Sequence, residues 1–131
     1  MNILNLVRSV IREDNLLRAE LGDRIYFYEL TENADVSKPF VVLTPILDEP
    51  SDFASDKYLS EEYLIQVDVE STNHQKTIDI TKRIRLLLFI NNMMQASSQL
   101  DEYFKETKRY VMSRRYRGIP KNQYYKGKRI E

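Results

Sequence analysis

The chain reads as an α+β domain: an antiparallel or mixed β-sheet of about five strands with two main helices packed on it, in the order α-β-β-β-α-β-β. Three observations predict this. An amphipathic stretch opens the chain, strict alternation of apolar and polar residues marks several later segments, and a second helical period lies between two of them. The length of 131 residues suits one domain. We divide it into a single α+β domain over 1–118 and an extended basic C-terminal arm over 119–131.

Each element follows from its pattern. Ile3, Leu6, Val7, Val10 and Ile11 fall at the i, i+3, i+4, i+7, i+8 spacing of a one-sided helix, which fades near REDN. LLRAELGD is expected to be a connector broken at Gly22. RIYFYEL is aromatic and alternating, a first strand, and ENADVSKP is a turn-rich link. FVVLTPI is a second strand, with Pro45 at its end or on an edge because proline donates nothing to a ladder. LDEPSDFASDKYLS, residues 47–60, is expected to be a long polar loop.

The clearest strand is EEYLIQVDVEST, residues 61–72. Tyr63, Ile65, Val67 and Val69 point one way, and Leu64, Gln66, Asp68 and Glu70 the other. A helix follows from about Asn73 to Ile90, capped by Ser71, Thr72 or Asn73, with Ile80, Ile84, Leu87 and Leu88 as its stripe. NNMMQASS breaks it. QLDEYFKETKRYVMSRRYR is a hairpin turning near KETK. Tyr110, Met112, Arg114 and Tyr116 share one face of its second strand, and Val111, Ser113, Arg115 and Arg117 the other.

Composition narrows function. No cysteine is present, which excludes disulfide and thiolate chemistry, and a single histidine excludes a multi-histidine metal centre. No apolar run approaches a membrane span or a secretion signal, so a soluble protein made in a cytoplasm is expected. The net charge of zero conceals a polarity. Residues 1–104 hold ten Lys/Arg against eighteen Asp/Glu, a net of −8; residues 105–131 hold ten against two, a net of +8. Such a chain suits head-to-tail contact between copies, or a basic end on an acidic partner.

The chemical candidates are few. Asp68 and Glu70 share a strand face about 7 Å apart by the strand rise, a separation at which carboxylates can share Mg²⁺ or divide acid and base roles. The strand offers no lysine beside them, and a solvated or interfacial sheet face accounts for the pair better. His74 sits at a helix start, where a lone histidine usually caps or lies at the surface. Ser51 and Ser71 lack a nucleophile elbow, and three glycines cannot build a phosphate cradle. No enzyme, cofactor or metal is therefore expected. The tail KRYVMSRRYRGIPKNQYYKGKR interleaves cations with aromatics, a composition that fits nucleic acid or an acidic neighbouring subunit.

Taken together, the N-terminal helix, GDRIYF, KPFVVLTP, SDFASDKYLSEEYLIQVDVES, the helix with TKRIRLLL and the hairpin DEYFKETKRYVMSRRYRG resemble the small tail completion proteins of siphophages, also called tail terminators or head–tail joining proteins. The resemblance runs from about residue 3 to about residue 118. It implies a structural virion protein acting without chemistry. Six copies would form a ring on the last ring of tail tube protein and end its polymerisation. The ring's other face would dock on the head completion or connector protein, and phage DNA would pass through the hole without sequence-specific binding. Under that reading the interface or channel candidates are Gln66, Asp68 and Glu70, Asp52, Asp56 and Lys57 in the 47–60 segment, Arg114, Arg115 and Arg117, and Lys121, Lys126, Lys128 and Arg129 in the arm. Gln66, Asp68 and Glu70 would present an acidic wall that repels DNA. Another neck component or a small nucleic-acid-binding protein using the basic arm are the alternatives.

Overall fold

Asn2 opens the first helix because its side-chain oxygen accepts from the backbone N–H of Leu4 at 3.0 Å and Asn5 at 3.2 Å. The structure, a computed structural model, describes residues 2–54 and 57–120, and for 51–60 the strand pairing alone. Helix α1 spans Ile3–Glu13 and buries Ile3, Leu4, Val7 and Ile11. Asp14 ends it and caps a second helix, α2, over Asn15–Leu21, accepting from Leu17 N at 3.1 Å. The expected connector is thus a short helix. A capping aspartate precedes it, Leu17 and Leu21 four residues apart bury one stripe, and no breaker intervenes before Gly22. Gly22 adopts φ +52°, a conformation costly for any residue with a Cβ.

Strand β1 is only Ile25–Phe27, because Tyr28 turns to φ +70° and gives its N–H to the Leu43 carbonyl at 2.8 Å. Strands β2, Phe40–Ala54, and β3, Lys57–Ser71, pair antiparallel along their whole length. This corrects the expected loop at 47–60, which is the distal half of a long hairpin. Two prolines and a run of acids hid the strand signal, yet ladder hydrogen bonds depend on backbone geometry rather than on side-chain polarity. Among the described residues β2 has no neighbour on its outer side beyond Leu43, so Pro45 and Pro50 lie on an edge where a missing donor costs little. The register slips once, between Pro45 and Leu47.

Asn73 caps helix α3, His74–Ile90, accepting from Lys76 N at 2.9 Å. Asn91 and Asn92 end it, Asn92 at φ +66°. Strand β4, Met93–Phe104, begins at once, seven residues before the expected Leu100, and β5, Arg109–Gly118, returns after the turn at KETK. The sheet order is β1-β2-β3-β5-β4, with β1 parallel to β2 and every other pair antiparallel. The fold is therefore α+β with a mixed five-stranded sheet and three helices.

All three helices pack on one face of that sheet. Val7, Ile11, Leu17, Leu21, Ile80, Ile84 and Leu88 meet Val41, Leu43, Ile65, Val67 and Val69 in a single core. Arg83 of α3 clamps Asp14 with two nitrogens, Nη2 at 2.6 Å from Oδ1 and Nε at 3.1 Å from Oδ2, which pins the α1–α2 corner to α3. The Arg83 hydrogen bonds first, then the Leu17 N–H, hold the Asp14 carboxyl below its ordinary range against the opposing cost of burial.

Candidate functional site

The opposite sheet face has no helix on it among the described residues. The alternation of β3 places Leu64, Gln66, Asp68 and Glu70 there. The register sets Arg117, Arg115, Ser113 and Val111 of β5 beside them on one side, and Thr44, Val42 and Phe40 of β2 beside Gln66, Asp68 and Glu70 on the other. Phe40, Val42, Leu64, Val111 and Ser113 are buried although no helix covers them. Over Phe40 lie the Arg109 guanidinium and, edge-on at 6.3 Å between ring centroids, Tyr26; the aliphatic stem of an arginine can cover apolar surface while its head stays wet.

The polar heads on this face form a ladder. Arg117 Nη1 donates to Glu62 Oε1 at 3.1 Å. Arg115 Nε donates to Gln66 Oε1 at 3.0 Å, and Gln66 Nε2 donates onward to Asp68 Oδ1 at 3.1 Å. At the far end Arg109 Nε lies 3.7 Å from Glu70 Oε1, an ion pair too long for a hydrogen bond. The Arg109 guanidinium also sits 5.5 Å from the Phe40 ring centroid, and its Nε is buried with no hydrogen-bond partner. Burial raises the Glu70 carboxyl above its usual range, the Asp68 charge adds to that, and Arg109 opposes both.

The pairing corrects the idea of an acidic wall. Arg117 pairs with Glu62 and Arg109 lies beside Glu70, while Arg115 reaches Asp68 only through Gln66, so the face is a strip of both signs rather than of acids alone. Such a strip suits a protein surface that fixes register through complementary charge better than one that repels phosphate. Arg109 and Glu62 belong to it and were not singled out from the sequence. Arg109 could have been, since it continues the 111, 113, 115, 117 alternation of β5.

The remaining candidates divide. Arg114 lies on the helix-covered face, 8% exposed, clamped on Asp101 at 2.6 and 3.0 Å, so it holds β5 to β4. Asp52 and Lys57 lie on β2 and β3, with their side chains outside the described residues; Asp56, Lys121, Lys126, Lys128 and Arg129 also lie outside them. His74 stacks on Tyr110 at 4.6 Å between ring centroids, and Tyr103 leans on the other at 4.7 Å, beside a cavity of about 300 Å³ that Asp101 and Glu102 help line. Among the described residues, no three His, Cys, Asp or Glu side chains are placed to hold a metal ion. No helix among them is long and apolar enough to cross a membrane.

No protein-family model and no curated protein matches the chain. Its fold is similar to that of a solved chain from the virion of a native gene transfer agent (GTA) particle. The TM-score is 0.58 at 9% sequence identity, over 87% of this chain and 90% of that one. At that identity the likeness is one of fold, and it spans nearly the full length of both chains.

Proposed function

We propose that this chain is a structural virion protein that forms a ring at the head–tail interface, ends tail-tube polymerisation and joins the tail to the head connector. The observation that carries the proposal is the near full-length fold likeness to a virion chain. It agrees with the siphophage tail completion resemblance reached from the sequence. In this reading the protein is not an enzyme. It works by presenting different surfaces to different neighbours: another copy of itself in a homohexamer, the tail tube protein, and the head completion or connector protein. DNA passes the ring without sequence-specific contact, and the place of action is the virion, after assembly in the host cytoplasm.

Two features of the molecule support a ring. A cyclic assembly joins unlike patches on successive copies, and this domain has two unlike sides, helices on one and a paired-charge strip on the other. The distal β2–β3 hairpin also projects past the sheet. Strand β3 pairs with β5 only from Tyr63 to Ser71, so Lys57–Glu62 and the facing part of β2 extend about 20 Å beyond it at the usual strand rise. A two-stranded ribbon alone is marginally stable in water and gains from docking.

Disruption of the gene in its parent particle, followed by electron microscopy of the lysate, tests the function. Overlong tails of scattered length beside filled, tailless heads are expected. Normal-length unattached tails would move the protein to the head side of the neck. Intact infectious particles would overturn the proposal and leave nucleic-acid binding by the basic arm to be tested instead.

A further inference from the structure

Helix α3 is apolar on two sides at its C-terminal end. Ile80, Ile84 and Leu88 face the core, as the single stripe of a surface helix does. Leu86, Phe89 and Ile90, three and four residues apart, form a second stripe turned outward. Met94, at the start of β4, is exposed at the same corner. These four side chains are 47–59% exposed. The last turn also carries no cation, although the C-terminal end of a helix favours one. An exposed apolar patch of this kind marks a surface that a partner covers.

The other side of the sheet holds a second exposed apolar pair. Strand β1 has stopped by Leu43, and the register of β2 slips between Pro45 and Leu47. A bulge re-aims side chains. Ile46 and Leu47 are each 38% exposed, and exposed Asp48 and Glu49 follow them. The two patches stand at one level along the strands. Leu47 pairs with Leu64, Leu64 with Arg117 and Arg117 with Met94, so a single cross-strand row runs from one patch to the other. Three strand spacings, about 14 Å, separate its ends. Pro45 and Pro50 interrupt one edge and two register shifts the other, devices by which sheets refuse further strands. A partner therefore meets these edges through side chains.

Charge selects the partner. Residues 44–50 hold two acids and no cation, whereas residues 82–94 hold three cations and no acid. Arg83 is engaged by Asp14. Lys82 and Arg85 stand one turn before Leu86 and Phe89, and Arg85 has the Gln95 amide oxygen at 3.5 Å in place of a carboxylate. We propose that the Leu86, Phe89, Ile90 and Met94 corner of one copy docks on the Ile46–Leu47 bulge of a second copy, with Lys82 and Arg85 facing Asp48 and Glu49. The apolar centres supply affinity, and the charges decide which edge meets which. Unlike patches on opposite edges join copies head to tail. Patches at one level let the repeat close as a ring rather than climb as a filament. This deepens the ring reading above and rests on it for its biological setting.

The chain has no cysteine, so introduced ones report without background. Full-length Leu47→Cys and Met94→Cys chains, mixed under mild oxidation, are expected to give about tenfold more disulfide-linked dimer than either alone. One chain carrying both substitutions is expected to give a ladder of multimers, because its own two sulfurs lie too far apart to close on each other. In that double-cysteine chain, Asp48→Lys with Glu49→Lys, or Lys82→Glu with Arg85→Glu, should lower the multimer yield about tenfold. Mixing the two reversed chains should restore it, since each then meets its opposite charge. Ile46→Cys with Ile90→Cys repeats the test in case one pair perturbs the fold. Unlinked chains in both pairs, Leu47→Cys chains that link to themselves as well as to Met94→Cys, or yields indifferent to charge reversal would overturn the proposal. Overlong tails after gene disruption without any cross-link would sink this contact and spare the ring's function, whereas charge-dependent multimers beside intact particles would do the reverse.

Discussion

Alternate residues of β3 live in two different solvents. Ile65, Val67 and Val69 sit under three helices, in a core closed by the chain itself. Leu64, Gln66, Asp68 and Glu70, one residue away each time, stand beside the arginines of β5 on a face with no helix over it among the described residues. Both sets are largely removed from water, by different means. The first surface is finished. The second has its polar heads joined to one another, Arg117 to Glu62, Arg115 to Gln66 and Gln66 to Asp68. A surface kept in that state is stable in a free subunit yet can be covered by a partner at small cost, since its polar groups already hold one another.

This contrast can be broken first on the covered side. Ile65→Ala, at a fully buried position, should cost about 2–5 kcal/mol through lost burial and a residual cavity, read as a drop in the denaturant midpoint. Next in size is Asp14→Ala. It removes the α2 cap and leaves Arg83 without its partner, so about 2 kcal/mol is expected from the cap and the charge-assisted bonds together.

The same carboxylate sets an acid limit. Its folded pKa lies below the ordinary 3.8, so its stabilisation is complete above that value and is lost as pH falls through the folded one. Asp14→Asn should flatten that acid decline in a stability–pH curve. Glu70 acts with the opposite sign. Burial raises its pKa above the ordinary 4.5, so the folded chain holds the proton more tightly. Stability should therefore fall slightly as pH rises from 4.5 through the raised value, and Glu70→Gln should remove that slope. The smallest effect on the free subunit belongs to the strip itself. Arg117→Ala breaks a partly exposed pair and should change stability by under about 1 kcal/mol.

Much of this architecture was legible in the sequence because burial imposes a period. The stripe of α1, the alternation of Tyr63 to Val69 and the α3 span from its Asn73 cap all stood where the pattern put them. The distal hairpin did not, because ladder pairing depends on the backbone and its prolines and acids read as loop. Helix α2 was missed because seven residues give too few turns for a period to show. The bare face was visible as a row of polar side chains on β3. Its neutralisation was not, since which arginine meets which carboxylate depends on the β3–β5 register, a long-range pairing that local sequence does not encode. Arg114 shows the limit from the other side: one residue from Arg115, it belongs to the interior.

The most direct test of the account joins these threads. Arg115 and Arg117 would be replaced together by glutamate, and the variant supplied in trans to particles whose own copy of the gene is disrupted. The account predicts a subunit whose thermal midpoint is nearly unchanged but which is absent from purified particles, with the tail defect unrepaired. Normal particles containing the variant at full occupancy would contradict it, and would show that the bare face of the sheet meets no partner in the virion.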